Sequence, residues 1–166
     1  MTTHIATEEA LMTVIRIVRD YPHSPTKVWR ALTEPTLMAL WGMRPEGFLL
    51  VTGTRFRLFA KANPGWRGFV ECELLEARAP SVLRYAWDDD GKGEPTQLTY
   101  TLEPHAGGTR LTVEHTGFKG LRGFVFAKLI MTPGWKKMVG TTFPAVLADL
   151  DDEGKLRPGS GLRPKY

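Results

Sequence analysis

The chain has 166 residues, 42% of them hydrophobic and 24% charged: long enough to bury one core without disulfides or metals, and too apolar for a disordered chain. Its one cysteine, Cys72, excludes an intramolecular disulfide and fits a reducing compartment. The formal charge of +4 is carried entirely by Lys155, Arg157, Arg163 and Lys165, in a stretch with no acid; the residues before it balance, so nucleic acid is not an expected partner.

The first ten residues have neither a basic start nor an apolar core, and the longest apolar run, 124–131, is interrupted by Lys128. Neither a signal peptide nor a membrane span is expected, and the expected location is cytoplasmic. The expected organisation is a flexible N-terminus over 1–10, one domain over 11–152, and a basic, Gly- and Pro-rich disordered tail over 153–166.

Leu11 to Asp20, rich in Val and Ile with Arg16 and Arg19 interleaved, predicts a strand. Ser24-Pro25 starts a short helix with Val28, Trp29 and Leu32 on its apolar side. Glu34-Pro35 starts a second, which carries Leu37, Met38, Leu40 and Trp41 and ends at Gly42. Strand signals follow: the apolar residues 48–51, then Arg55 to Phe59, Trp66 to Leu75 after an Asn63-Pro64-Gly65 turn, and Val82 to Trp87. Asp88 to Gly93 reads as a solvated hairpin loop. Leu98, Tyr100 and Leu102 share one face of the next strand, and Leu111, Val113 and His115 share one after the Gly107-Gly108 turn.

Trp135, Met138, Val139, Phe143, Val146, Leu147 and Leu150 fall at helical spacing and predict a helix over 134–150, with Lys136, Lys137, Asp149 and Asp151 opposite. Pro144 predicts a kink or break within it. Lys119 to Thr132 fits no single period. It reads either as a short core helix or loop, or as a mobile lid or self-association surface through which a homodimer would form.

The histidines His4, His23, His105 and His115 are scattered without the spacing of a metal site, and there is no phosphate loop or nucleophile elbow. Neither metal nor cofactor is expected. His115, inward with Leu111 and Val113, is the one weak candidate for acid or base work. The bland alternative is a neutral histidine bonded inside the core. Cys72, in step with Val70 and Leu74, reads as a small buried hydrophobe.

The run Ser24-Pro25-Thr26-Lys27-Val28-Trp29-Arg30-Ala31-Leu32-Thr33-Glu34-Pro35, then Leu40-Trp41, Gly107-Gly108-Thr109-Arg110-Leu111-Thr112-Val113-Glu114-His115-Thr116-Gly117-Phe118 and Gly134-Trp135, resembles the START-like (SRPBCC) superfamily. Within it the likeness is to the branch named for the activator of the ninety-kilodalton heat-shock-protein ATPase, and it spans about residues 10–152. The resemblance implies an α+β helix-grip fold, with about seven antiparallel strands curved around a long C-terminal helix. It further implies an apolar cavity between sheet and helix, lined by Trp41, Phe56, Tyr85, Trp87, Tyr100, His115, Trp135 and Met138. The function so implied is binding of a small hydrophobic or aromatic molecule, without identifiable catalysis. Two alternatives stay open: a polyketide cyclase or aromatase on the same fold, with His115 and Tyr85 or Tyr100 handling protons, and a co-chaperone-like protein-interaction module.

Overall fold

A computed structural model describes residues 12–92 and 94–164, so the N-terminal ten residues, Leu11, Gly93 and Lys165 of the expectations above lie outside the described residues. Strand β1 (Met12–Tyr21) is followed by helix α1 (Pro25–Thr33), where the Ser24 hydroxyl accepts from the Lys27 N–H and Pro25 sits in the first turn, losing no bond. Helix α2 (Pro35–Trp41) abuts it, and the Trp41 indole donates to the Ala31 carbonyl at 2.8 Å, tying the two together.

Strands β2 (Arg44–Glu46), β3 (Arg55–Phe59), β4 (Phe69–Arg78), β5 (Val82–Asp88), β6 (Thr96–His105) and β7 (Gly108–Lys119) form an antiparallel meander. β1 closes onto β7, giving the order β1-β7-β6-β5-β4-β3-β2. The expected alternation holds: Leu83, Tyr85 and Trp87, Leu98, Tyr100 and Leu102, and Leu111, Val113 and His115 are buried on one face. That face is covered by a long helix, α3, over residues 120–148. The chain has the α+β helix-grip fold.

Two glycines shape the sheet where it meets its neighbours. A Cβ on Gly108 would stand 2.1 Å from the Tyr21 carbonyl oxygen, so only glycine fits where β7 starts beside the end of β1. Gly117 has φ +96 at a bulge, where register passes from Ile15↔His115 to Thr13↔Phe118. The extra residue changes the parity of β7, so Phe118 joins His115 on the inner face, ring centroids 4.7 Å apart.

Several expectations are corrected. Residues 48–51 are a loop, not a strand, with Leu49, Leu50 and Val51 exposed; a run without alternation specifies no face. The adjoining strand starts at Phe69, because Trp66 is drawn into a turn in which its N–H donates to the Asn63 carbonyl. Residues 119–132, read as a short helix or loop, are instead the end of β7 and the first half of α3.

Nor does Pro144 break the helix. α3 alternates α-turns (Gly120–Phe126, Thr132–Lys137, Phe143–Ala148) with π-turns (Ala127–Met131, Met138–Thr142), and each π-turn lies just ahead of a proline, Pro133 or Pro144. The wider turn relieves the crowding of the proline ring on the preceding carbonyls. It also leaves a carbonyl without a donor. The Phe143 N–H reaches back to Met138, and Pro144 has no N–H for Val139; the Tyr21 hydroxyl donates to the Val139 carbonyl instead.

Beyond α3, buried Lys27 donates to the Leu150 carbonyl at 2.9 Å, meeting one of the acceptors left past the helix end. The segment that follows, expected on composition to be disordered, carries its own bonds. Leu150 bridges to Leu156, the Asp151 carboxylate accepts from the Glu153 and Lys155 N–H groups, and Ser160 Oγ donates to Asp149.

Candidate functional site

Strand alternation and the helical stripe bring the expected lining residues together. Phe56 on β3 meets Tyr85 (ring centroids 5.3 Å), Tyr85 meets Tyr100 (6.1 Å), Tyr100 meets Trp135 of α3 (6.0 Å), and Trp135 meets Trp87 (5.9 Å). Trp41 stands against Phe143 at 4.9 Å, and Met138 is half-buried beside the cluster. Six of the eight, Trp41, Tyr85, Trp87, Tyr100, Trp135 and Met138, line a slot between sheet and helix. Phe56 and His115 do not line it. The slot holds only about 20 Å³, room for a single water, and Met38, Met43 and Met138 stand along it. Thioether chains with three rotatable bonds make this the most adaptable part of its wall.

His115 is fully engaged. The Trp135 indole N–H donates to its Nδ1 at 3.2 Å, which leaves the proton on Nε2, 2.7 Å from Thr96 Oγ1; the Thr96 hydroxyl donates on to the Trp87 carbonyl at 3.1 Å. Burial lowers the imidazole pKa to about 3, so it is neutral and has no free nitrogen for a substrate proton.

Other groups are less satisfied. The Tyr85 and Tyr100 hydroxyls share one long contact of 3.5 Å, and burial raises both phenol pKa values. Burial also keeps the Cys72 thiol protonated. Among the described residues, Trp87 Nε1 is the only buried side-chain nitrogen or oxygen without a hydrogen-bond partner.

Trp87 also lines a second space that sequence reasoning missed. An open cleft of about 1020 Å³ lies between the 65–67 turn, the β5–β6 connection, the end of β7 and the start of α3. Trp66, Trp87, Phe118 and Phe126 supply its apolar wall, which places Trp66 at a mouth rather than in the sheet core. Arg67 pins its rim, with the guanidinium donating to the Asp88 carbonyl at 3.2 Å.

Within the cleft Asp89 is half-buried, a correction to the reading of residues 88–90 as a solvated loop. Burial raises its pKa, and the neighbouring Asp88 and Asp90 carboxylates add to that. The Trp87 side-chain N–H stands close enough to Asp89 to oppose the shift, though outside hydrogen-bond geometry. The alternation that carries Leu83, Tyr85 and Trp87 inward continues to Asp89, and the one that carries Leu98 and Tyr100 inward begins at Thr96. Both were readable from parity. Phe118 was not, because the bulge at Gly117 reverses the count.

The cleft joins its aromatic wall to a charged rim that includes Arg67, Asp89, Glu94, Lys119 and Arg122. Among the described residues no three His, Cys, Asp or Glu side chains gather as a metal site requires.

The family model described as Activator of Hsp90 ATPase homolog 1-like protein matches residues 22–148. No curated protein matches the chain. Among solved structures, protein MLL2253 from Mesorhizobium loti is 29% identical with a TM-score of 0.70, over 84% of this chain and 99% of that one. DynU16, from the dynemicin biosynthetic locus, is 26% identical with a TM-score of 0.68, over 81% of this chain and 47% of its own, so this chain spans about half its length. A protein from Arthrobacter aurescens, 20% identical with a TM-score of 0.71 over 87% of this chain and 90% of that one, shares the fold.

Proposed function

Since this chain belongs to the Activator of Hsp90 ATPase homolog 1-like family, we propose that it binds a small, largely apolar or aromatic molecule between the sheet and α3. The molecule lies in the cleft against Trp87 and Phe118 and presses toward the slot, which widens as Met38, Met43 and Met138 change rotamer. The observation that carries this reading is the buried Trp87 Nε1–H, which has no hydrogen-bond partner and belongs to a side chain that lines both spaces. A buried donor without an acceptor costs about 1–3 kcal/mol, and a ligand carbonyl or ether oxygen would recover it. The preferred ligand is therefore an aromatic ketone or a similar acceptor-bearing ring system.

The test is titration of the protein with a panel of polycyclic aromatic ketones, followed by tryptophan fluorescence, beside native mass spectrometry of the purified protein. Trp87→Phe keeps an aromatic ring and removes the donor. It should weaken ketone binding about tenfold while leaving the parent hydrocarbons unaffected. Equal weakening of both series, or no binding of either, would count against the reading.

A second reading, an enzyme of the polyketide cyclase type, draws on DynU16 being a protein of a biosynthetic locus. With His115 neutral and bonded on both sides, its proton handling would fall to Tyr85 and Tyr100. Turnover that Tyr100→Phe abolishes while ketone binding persists would favour it.

A further inference from the structure

We propose that the outward face of the first half of α3 docks on the surface of an anionic lipid bilayer. The inner side of this segment is occupied, with Ala127 and Trp135 buried. Its outer side nevertheless presents Leu121 (77% exposed), Phe124, Val125, Leu129 (69%) and Ile130 (61%). Leu121, Phe124, Val125, Lys128 and Leu129 neighbour one another at three- and four-residue spacing, so the patch is continuous and a lysine sits within it. The exposed side chains of a solvated helix face are ordinarily polar, and a cluster of this size marks a surface that is covered in use.

Charge identifies the cover. From His115 to Ala148 the sequence holds Lys119, Arg122, Lys128, Lys136 and Lys137 and not one Asp or Glu. All five cations are exposed, and none joins an ion pair among the described residues. Elsewhere most arginines are answered, among them Arg16 by Glu114, Arg30 by Glu34, Arg57 by Glu71, and Arg110 by Asp20.

A second copy meeting this face about a twofold axis would set cations against cations, and the helix itself supplies no acid to offset them. Nucleic acid would use the cations and leave Leu121, Leu129 and Ile130 idle. An anionic bilayer uses both: the aliphatic side chains sink to the boundary between headgroups and acyl chains, while the lysines meet lipid phosphates. No described helix is long and apolar enough to cross a membrane, so the contact is with the surface. Lys119 and Arg122 also border the cleft, whose mouth thus opens beside the docking face, but docking requires nothing of the cleft's ligand.

Co-sedimentation of the full chain with vesicles tests this. Binding is expected to phosphatidylcholine–phosphatidylglycerol vesicles, to fall with added salt, and to be absent with pure phosphatidylcholine. Each neutralised cation should weaken it about fivefold, so Lys128→Gln with Lys136→Gln should cost roughly 25-fold. Leu129→Ser with Ile130→Ser should abolish binding while lowering the melting temperature only slightly, since both side chains are mostly exposed. Failure to bind anionic vesicles, or equal binding to neutral ones, would overturn the proposal. So would binding that survives the two serines, which would leave a general polyanion patch. A dimer in analytical ultracentrifugation that the same serines dissociate would overturn it too, assigning the face to a second copy.

Discussion

Both ring nitrogens of His115 are bonded and burial holds its pKa near 3, whereas in the unfolded chain it titrates at the ordinary imidazole value of 6.5. Between those values the unfolded state binds a proton that the folded state refuses. Stability is therefore full above about pH 6.5 and falls as pH drops toward 3, with a slope approaching about 1.4 kcal/mol per pH unit. Asp89, raised above 3.8 by burial, acts with the opposite sign, favouring the folded state where it is protonated. Urea midpoints for the native chain and for His115→Gln isolate the histidine: the variant should show a flatter acid decline, and an unchanged profile would mean that the imidazole is not neutral when folded. At this scale the sequence was informative because parity is local. His115, Tyr85, Trp87 and Tyr100 face inward as alternation requires. What it withheld was partnership: nothing in the order of residues says that Trp135 and Thr96 occupy both nitrogens of His115, or that Trp87 is left without an acceptor.

The two π-turns of α3 make a sharper prediction. Tyr21 and Pro144 lie far apart in sequence yet meet at the Val139 carbonyl, one supplying the hydrogen bond whose usual donor the other displaces. Tyr21→Phe should destabilise by about 1–3 kcal/mol, because it leaves that carbonyl buried and unpaired. In a Pro144→Ala background residue 144 regains an N–H, and the same substitution should cost measurably less. Chemical denaturation of the four proteins of this double-mutant cycle gives the coupling, and strict additivity would sever the proposed link. The sequence foretold the inner stripe of the helix and the discord at Pro144, but not its resolution, since a proline can break a helix, bend it or widen one turn. It also failed to show that residues 120–131 belong to the same helix. That half is apolar outside as well as inside, and the π-turn at Ala127–Met131 shifts the period on which recognition depends.

Across the whole molecule the topology follows from the meander signals, and what they do not disclose is how the first strand is seated. That seat is tight. Gly108→Ala would drive a methyl group into the Tyr21 carbonyl and pry apart β1 and β7, at a cost of about 3 kcal/mol. For a chain of this length that lowers the melting temperature by roughly 6–12 °C, which calorimetry would register. Gly107, one residue earlier, has open space around it, so Gly107→Asn, able to adopt its left-handed φ of +78, should be tolerated far better.

The pairing of Ile15 with His115 joins residues 100 apart in the chain. On the ribosome β1 is therefore made first and must wait for its partner, for about 5–20 s at ordinary synthesis rates. During that interval an Ile- and Val-rich segment has no sheet to join and is free to pair with a neighbouring nascent chain. The Arg16 and Asp20 side chains that alternate with Ile15, Ile17 and Tyr21, together with Arg19, would keep it dispersed until β7 arrives. Arg16 and Asp20, which lie on the outer face of the finished sheet, thus guard the chain before a sheet exists.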